Sequence, residues 1–178
     1  MKAYRIIILF VLWFMAMFVF AWFNASAYKP GYADEPSFRV LDSDRLFFRN
    51  LRIAEYSALP HPTATLQILM HKDTDTTAGI LPLLIINEAT GEAYLRFRGD
   101  RSMAVCSGDS LHFSESVSVE ESFQTGVLLL NMADKGSEIT VYNGKQYVHT
   151  LGPGSSEIKA IQETLRDYFR LVRNGNNR

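Results

Sequence analysis

Few side chains in this chain of 178 residues are of the types that do chemistry, and they are scattered. The histidines are His61, His71, His112 and His149. None pairs with another at a helical metal-site spacing such as H-E-x-x-H, so only the fold can bring them together. Asp73-Thr74-Asp75-Thr76-Thr77-Ala78-Gly79 is acidic enough to suggest a calcium loop. An EF-hand, however, needs Gly at its sixth place and a bidentate Glu at its twelfth, and here those places hold Ala78 and Leu84. The string reads as a polar loop ahead of a strand. Asp42-Ser43-Asp44 reads as a helix cap or turn rather than a metal site. The one cysteine, Cys106, follows Met103-Ala104-Val105 and reads as a small buried hydrophobe. A nucleophile would need an electropositive, partly exposed setting. As the sole cysteine it can form a disulfide only with another chain. No Walker loop or dinucleotide fingerprint occurs.

Gly108-Asp109-Ser110-Leu111, after an apolar run, is the sharpest catalytic-looking string. It resembles the nucleophile block of the GDSL esterase/lipase family, which implies a hydrolase in which Ser110 attacks an ester carbonyl. The resemblance covers four residues. The family's late Asp-x-x-His is missing, since Gln146 stands three residues before His149, and no Gly-x-Asn-Asp string is present. A serine without a base and oxyanion donors is an ordinary alcohol, so the string also reads as a turn between strands. No catalytic, cofactor-binding or metal-ligating residue is therefore assigned, and no cofactor is expected.

The strongest signal is at the N-terminus. Ile6 to Phe23 is an unbroken apolar run holding seven of the fourteen Phe and Trp. As a helix it would be about 27 Å long, close to the hydrocarbon core of about 30 Å. Trp22 and Phe23 suit the interface, and Lys2 and Arg5 precede the run, which predicts a cytoplasmic N-terminus and an exported remainder. The run is longer than a usual signal-peptide core, which favours an uncleaved anchor. Ala25-Ser26-Ala27 also fits a cleavage site, which would start the mature chain at Tyr28. Asn24-Ala25-Ser26 matches a glycosylation sequon but sits against the membrane.

Residues 28–36, with two prolines and a glycine, read as a linker, and residues 37–178 as one exported domain. Beyond residue 27 the 18 Lys+Arg lose Lys2 and Arg5, leaving 16 against 19 Asp+Glu. That balance gives no pull toward nucleic acid. Phe38, Phe47, Phe48, Phe97, Phe113, Phe123 and Phe169 are available for a core, and no internal repeat occurs.

The expected fold is α+β: an N-terminal transmembrane helix, then an antiparallel β-rich domain packed by a C-terminal amphipathic helix. Asn143-Gly144 predicts a two-residue type I′ hairpin pairing Tyr142 with Lys145, Thr140 with Tyr147 and Ile139 with Val148. Tyr142, Tyr147 and His149 then share a polar aromatic face, open to a partner or covered by another element. A second hairpin is expected over 80–98, with Pro82 at an edge or strand start. Residues 64–71 alternate as a strand, with Leu66, Ile68 and Met70 on one side, and Gly126 to Met132 reads as a buried strand. Ile158, Ile161, Leu165, Phe169 and Val172 make one stripe of a last helix capped by Ser155 and stopped by Asn174-Gly175. Its Arg166, Arg170 and Arg173 read as a solvated face assisted by the helix dipole. Residues 44–56 fit a helix or a long strand, and 115–124 a polar helix or an edge strand.

These features point to a non-enzymatic, membrane-anchored extracytoplasmic interaction or assembly module of the cell envelope. Its partners would be membrane lipid through residues 6–23 and an envelope protein. Alternatives are a carrier of a small apolar ligand in a β-sheet cavity and a serine hydrolase using Ser110.

Overall fold

The computed structural model describes residues 8, 10–17, 30–31, 36–77, 79–99, 102–114 and 117–173. The protein is α+β, with two antiparallel sheets and helices packed on them. Residues 10–17 are helical and exposed. Most of the rest of the Ile6–Phe23 run, the whole Ala25–Ala27 site and Asn174-Gly175 lie outside the described residues. Among the described residues no helix is long and apolar enough to cross a membrane.

Helix α1 (Asp42–Phe47) runs on through a wide π-turn (Phe48–Arg52) and a 3-10 turn (Ile53–Glu55) into strand β1 (Tyr56–Leu59). The segment 44–56 is therefore helical until its last residue. A π-turn inserts one residue, which rotates everything after it by about 100° around the axis. Phe48 is buried inside this turn and Arg52 ends it.

Strands β2 (Leu66–His71), β3 (Leu81–Asn87) and β4 (Glu92–Arg98) complete the first sheet, in the order β1-β2-β3-β4. The expected 80–98 hairpin is present. Pro82 pairs only with Phe97 of β4, because β2 ends its pairing at Leu84, so the missing N–H costs no ladder bond. In β2 the core side carries Leu69 and His71, opposite to Leu66, Ile68 and Met70.

The second sheet has the order β6-β5-β7-β8: β5 (Ser102–Cys106), β6 (Asp109–His112), β7 (Ile139–Asn143) and β8 (Gln146–Leu151). The β7–β8 hairpin corrects the expected register. Asn143 pairs with Gln146 and Tyr142 with Tyr147, so the loop is Gly144-Lys145. Only Gly144 has positive φ, at 60°, the pattern of a type II′ turn, which spares Lys145 the left-handed region. A bulge then sets Val141 opposite His149 and Ile139 opposite Leu151, keeping Ile139, Val141 and Leu151 buried together.

The expected strand at 126–132 is instead the middle of helix α2 (Val119–Asp134). The apolar run misled because this helix is buried around much of its girth, against β4, β6 and the last helix. The helix signal lies upstream. Ser118 Oγ accepts the Glu121 N–H at 3.1 Å and Glu121 accepts the Ser118 N–H at 2.8 Å, a capping box. Replacing exposed Ser118 with Ala is expected to cost about 1 kcal/mol, read by denaturant melts.

Helix α3 (Ser156–Val172) is capped as expected by Ser155, whose Oγ accepts the Ile158 N–H. Its stripe is wholly buried and packs on β2, β3, β4 and α2. Phe123 of α2 meets Phe169 of α3 edge-on at 5.3 Å. One cluster of buried apolar residues links both sheets and both long helices.

Candidate functional site

The densest polar assembly in the described structure is built where the π-turn segment, β2 and α3 meet. Arg52, at the end of the π-turn, points along α3. Its Nε donates to both oxygens of Asp167, at 3.1 and 2.9 Å. Nη2 donates to Glu163 at 2.8 Å, and Nη1 lies 2.7 Å from Glu55. Glu163 and Asp167 are one helical turn apart, so a single guanidinium reaches both. Tyr56, the first residue of β1, donates its O–H to Asp167 at 2.8 Å. His71, at the end of β2, closes the floor. Its Nε2 lies 3.4 Å from Glu163 and 3.6 Å from Glu55, without a hydrogen bond, and is buried. Its Nδ1 accepts the Asp73 N–H at 3.2 Å.

Burial grades across the cluster. His71 and Asp167 form the floor, with side chains 5% and 10% exposed, while Glu55 and Glu163 form the mouth at 41% each. Burial pulls the Arg52 guanidinium down, but the Asp167 charge and the hydrogen bonds to Glu163 and Asp167 outweigh it and hold it above its ordinary value. Burial lifts Asp167 above the usual carboxylate range despite Arg52. Burial and the adjoining Glu163 also lift Glu55. At Glu163 burial is outweighed by Arg52, which holds that carboxyl low. Three carboxylates surround one guanidinium, so negative charge is in excess.

The residues singled out from sequence are placed as follows. Ser110 lies exposed on edge strand β6. Ser107 and Gly108, both with positive φ (51° and 90°), form the two-residue turn from β5, and Asp109 pairs with Lys135. The GDSL string is thus a hairpin turn with the φ signs of type I′, and among the described residues no histidine is hydrogen-bonded to Ser110. Cys106 is buried and free. His61 accepts the Thr63 N–H within a turn, and His112 is exposed on β6.

His149 converges with Asp75 and Glu157, their ligand atoms within 4.8 Å of one another. Asp75, from the loop compared with a calcium site, spends one oxygen on the Thr77 N–H and hydroxyl. Tyr142 and Tyr147 stack edge-on at 6.3 Å, with Tyr147 exposed.

Two expectations are corrected. Asp44 is not a cap or turn residue but a buried counter-ion, 2.9 Å from Arg173 and 3.6 Å from Arg170. Arg170 also stacks on the Phe47 ring at 3.5 Å. These two arginines are therefore spent inside the fold. Arg166 stays nearer solvent, paired with Asp134.

Sequence reasoning missed Arg52, Glu55, Tyr56, Glu163 and Asp167. Two local signals were there: Arg52 and Glu55 three apart, and Glu163 and Asp167 four apart. Nothing local joins those pairs across more than 100 residues.

Two surfaces complete the picture. Among the described residues outside 8–17, the exposed large apolar side chains are Leu41, Leu46, Leu51 and Tyr147; Leu41 precedes α1, Leu46 lies on it and Leu51 in the π-turn that follows. A cavity of about 430 Å³ is lined by Thr76, Gly79, Ile80, Leu81, Arg98, Gly99 and Asn143, a mixed and largely polar set. The chain matches no protein family, no curated protein and no solved structure.

Proposed function

We infer that this protein is a membrane-anchored extracytoplasmic interaction module, non-enzymatic, held by the apolar segment Ile6–Phe23 and presenting Leu41, Leu46 and Leu51 to an envelope protein. The observation that carries the reading is apolar exposure concentrated in two places. Ile8, Phe10–Phe14, Met15 and Met17 stand more than half exposed on the N-terminal helical stretch. Contiguous apolar surface of that kind marks a membrane or partner contact. The second place is Leu41, Leu46 and Leu51, which follow the linker directly.

The test uses the buried Cys106, which leaves the native chain silent to maleimide. With Lys145→Cys, a membrane-impermeant maleimide is expected to label the full chain in intact cells. Labelling only after lysis overturns the exported placement. A photo-crosslinking side chain at Leu46 or Leu51 is expected to capture one discrete protein that the same probe at Lys145 does not. Equal capture at all three positions, or none, overturns the interaction face.

A further inference from the structure

We propose that Glu55, His71 and Glu163 form a binding site for a divalent transition-metal ion of the zinc class. The inference stands apart from the membrane reading. One ligand atom from each residue lies within 4.8 Å of the other two, a separation that a single ion can bridge. The donors are one imidazole nitrogen and two carboxylates. That set suits Zn²⁺ better than Ca²⁺ or Mg²⁺, which take oxygen ligands. The independent observation is His71, whose side chain is 95% buried while its Nε2 has no hydrogen-bond partner and faces the two carboxylates. A buried polar atom left without a partner costs free energy, and a metal ion would satisfy it.

Charge points the same way, since three carboxylates share the single guanidinium of Arg52. Arg52 engages Oε2 of Glu55 and Oε2 of Glu163, the same oxygens that face His71 Nε2, so an ion there would share those oxygens with the guanidinium or take Oε1 of each carboxylate. The mouth at Glu55 and Glu163 is open enough for entry, and water would fill the remaining coordination positions. Coordination by Nε2 puts the ring proton on Nδ1, so the Asp73 N–H must turn away from it. The cluster of Asp75, His149 and Glu157 has no comparable buried anchor. All three of its residues are half-exposed, and it serves as the internal control.

The experiment titrates Zn²⁺ into the full chain against a chromophoric zinc indicator. One equivalent is expected to bind, raising the melting temperature. His71→Ala is expected to weaken binding at least 100-fold and Glu163→Gln at least 10-fold, while His149→Ala leaves it unchanged. Glu55→Gln and Glu163→Gln, changes of near-equal shape at the mouth, keep the test valid if His71→Ala fails to fold. No stoichiometric binding, binding that survives both Gln variants, or loss with His149→Ala overturns the proposal.

Discussion

Arg52→Ala is expected to destabilise the protein by about 3 kcal/mol, because it strands Asp167 as a buried carboxylate without its counter-ion. Tyr56 still donates to Asp167, but one neutral hydrogen bond offsets only part of the loss of a charged fork. The melting temperature should fall by about 6–12 °C at this chain length. Arg52→Lys should recover part of the loss, since an ammonium keeps the charge but cannot reach Asp167, Glu163 and Glu55 together. The decisive measurement is a double-mutant cycle with Asp167→Ala. If the two costs simply add, the geometry around Arg52 contributes no coupling and this account of the cluster is wrong. The Glu55 and Glu163 arms should each contribute less than the Asp167 arm, because both carboxylates are half-exposed and their ion pairs are screened.

The second large effect belongs to Gly126. It sits in α2 where the helix crosses β4 and α3, and a Cβ there would lie 2.7 Å from Leu95 Cδ2 and 3.2 Å from Phe169 Cζ. Leu95 and Phe169 are both fully buried, so neither side chain has room to withdraw. Gly126→Ala gains about 1 kcal/mol of helix propensity but loses more to overpacking, leaving it mildly destabilised. Gly126→Val adds two methyl groups to the same contact and a weaker helix former, for a net cost of about 3 kcal/mol. Chemical denaturation of the two variants should rank them in that order. A Val variant as stable as the native chain would mean that α2 does not press on the sheet here.

Elements with a local cause were legible in the sequence. The 80–98 hairpin has a polar turn between a short apolar run and an alternating strand, and α3 has a capping serine and a stripe at three- and four-residue steps. Where two structures answer to the same local pattern, the reading failed. Val127 to Leu130 are apolar whether the backbone is strand or helix, and only burial on several sides of α2 explains the run. The β7–β8 turn slipped by one residue because Asn143-Gly144 and Gly144-Lys145 both make tight turns. The bulge that fits Leu151 into the core chose the second.

The cluster around Arg52 was not legible, since its members come from a π-turn, a 3-10 turn, two strand ends and a distant helix. No spacing rule reaches across that distance, and only packing α3 beside the first helical segment brings the charges together. By itself the sequence determined the 80–98 hairpin, the Ser155 cap and stripe of the last helix and the α+β class, which rest on patterns of neighbours along the chain. Tertiary structure decided which apolar run became a helix and which arginines lost their solvent. It also decided which histidine faces two carboxylates, because burial and charge pairing act between segments that only folding makes adjacent.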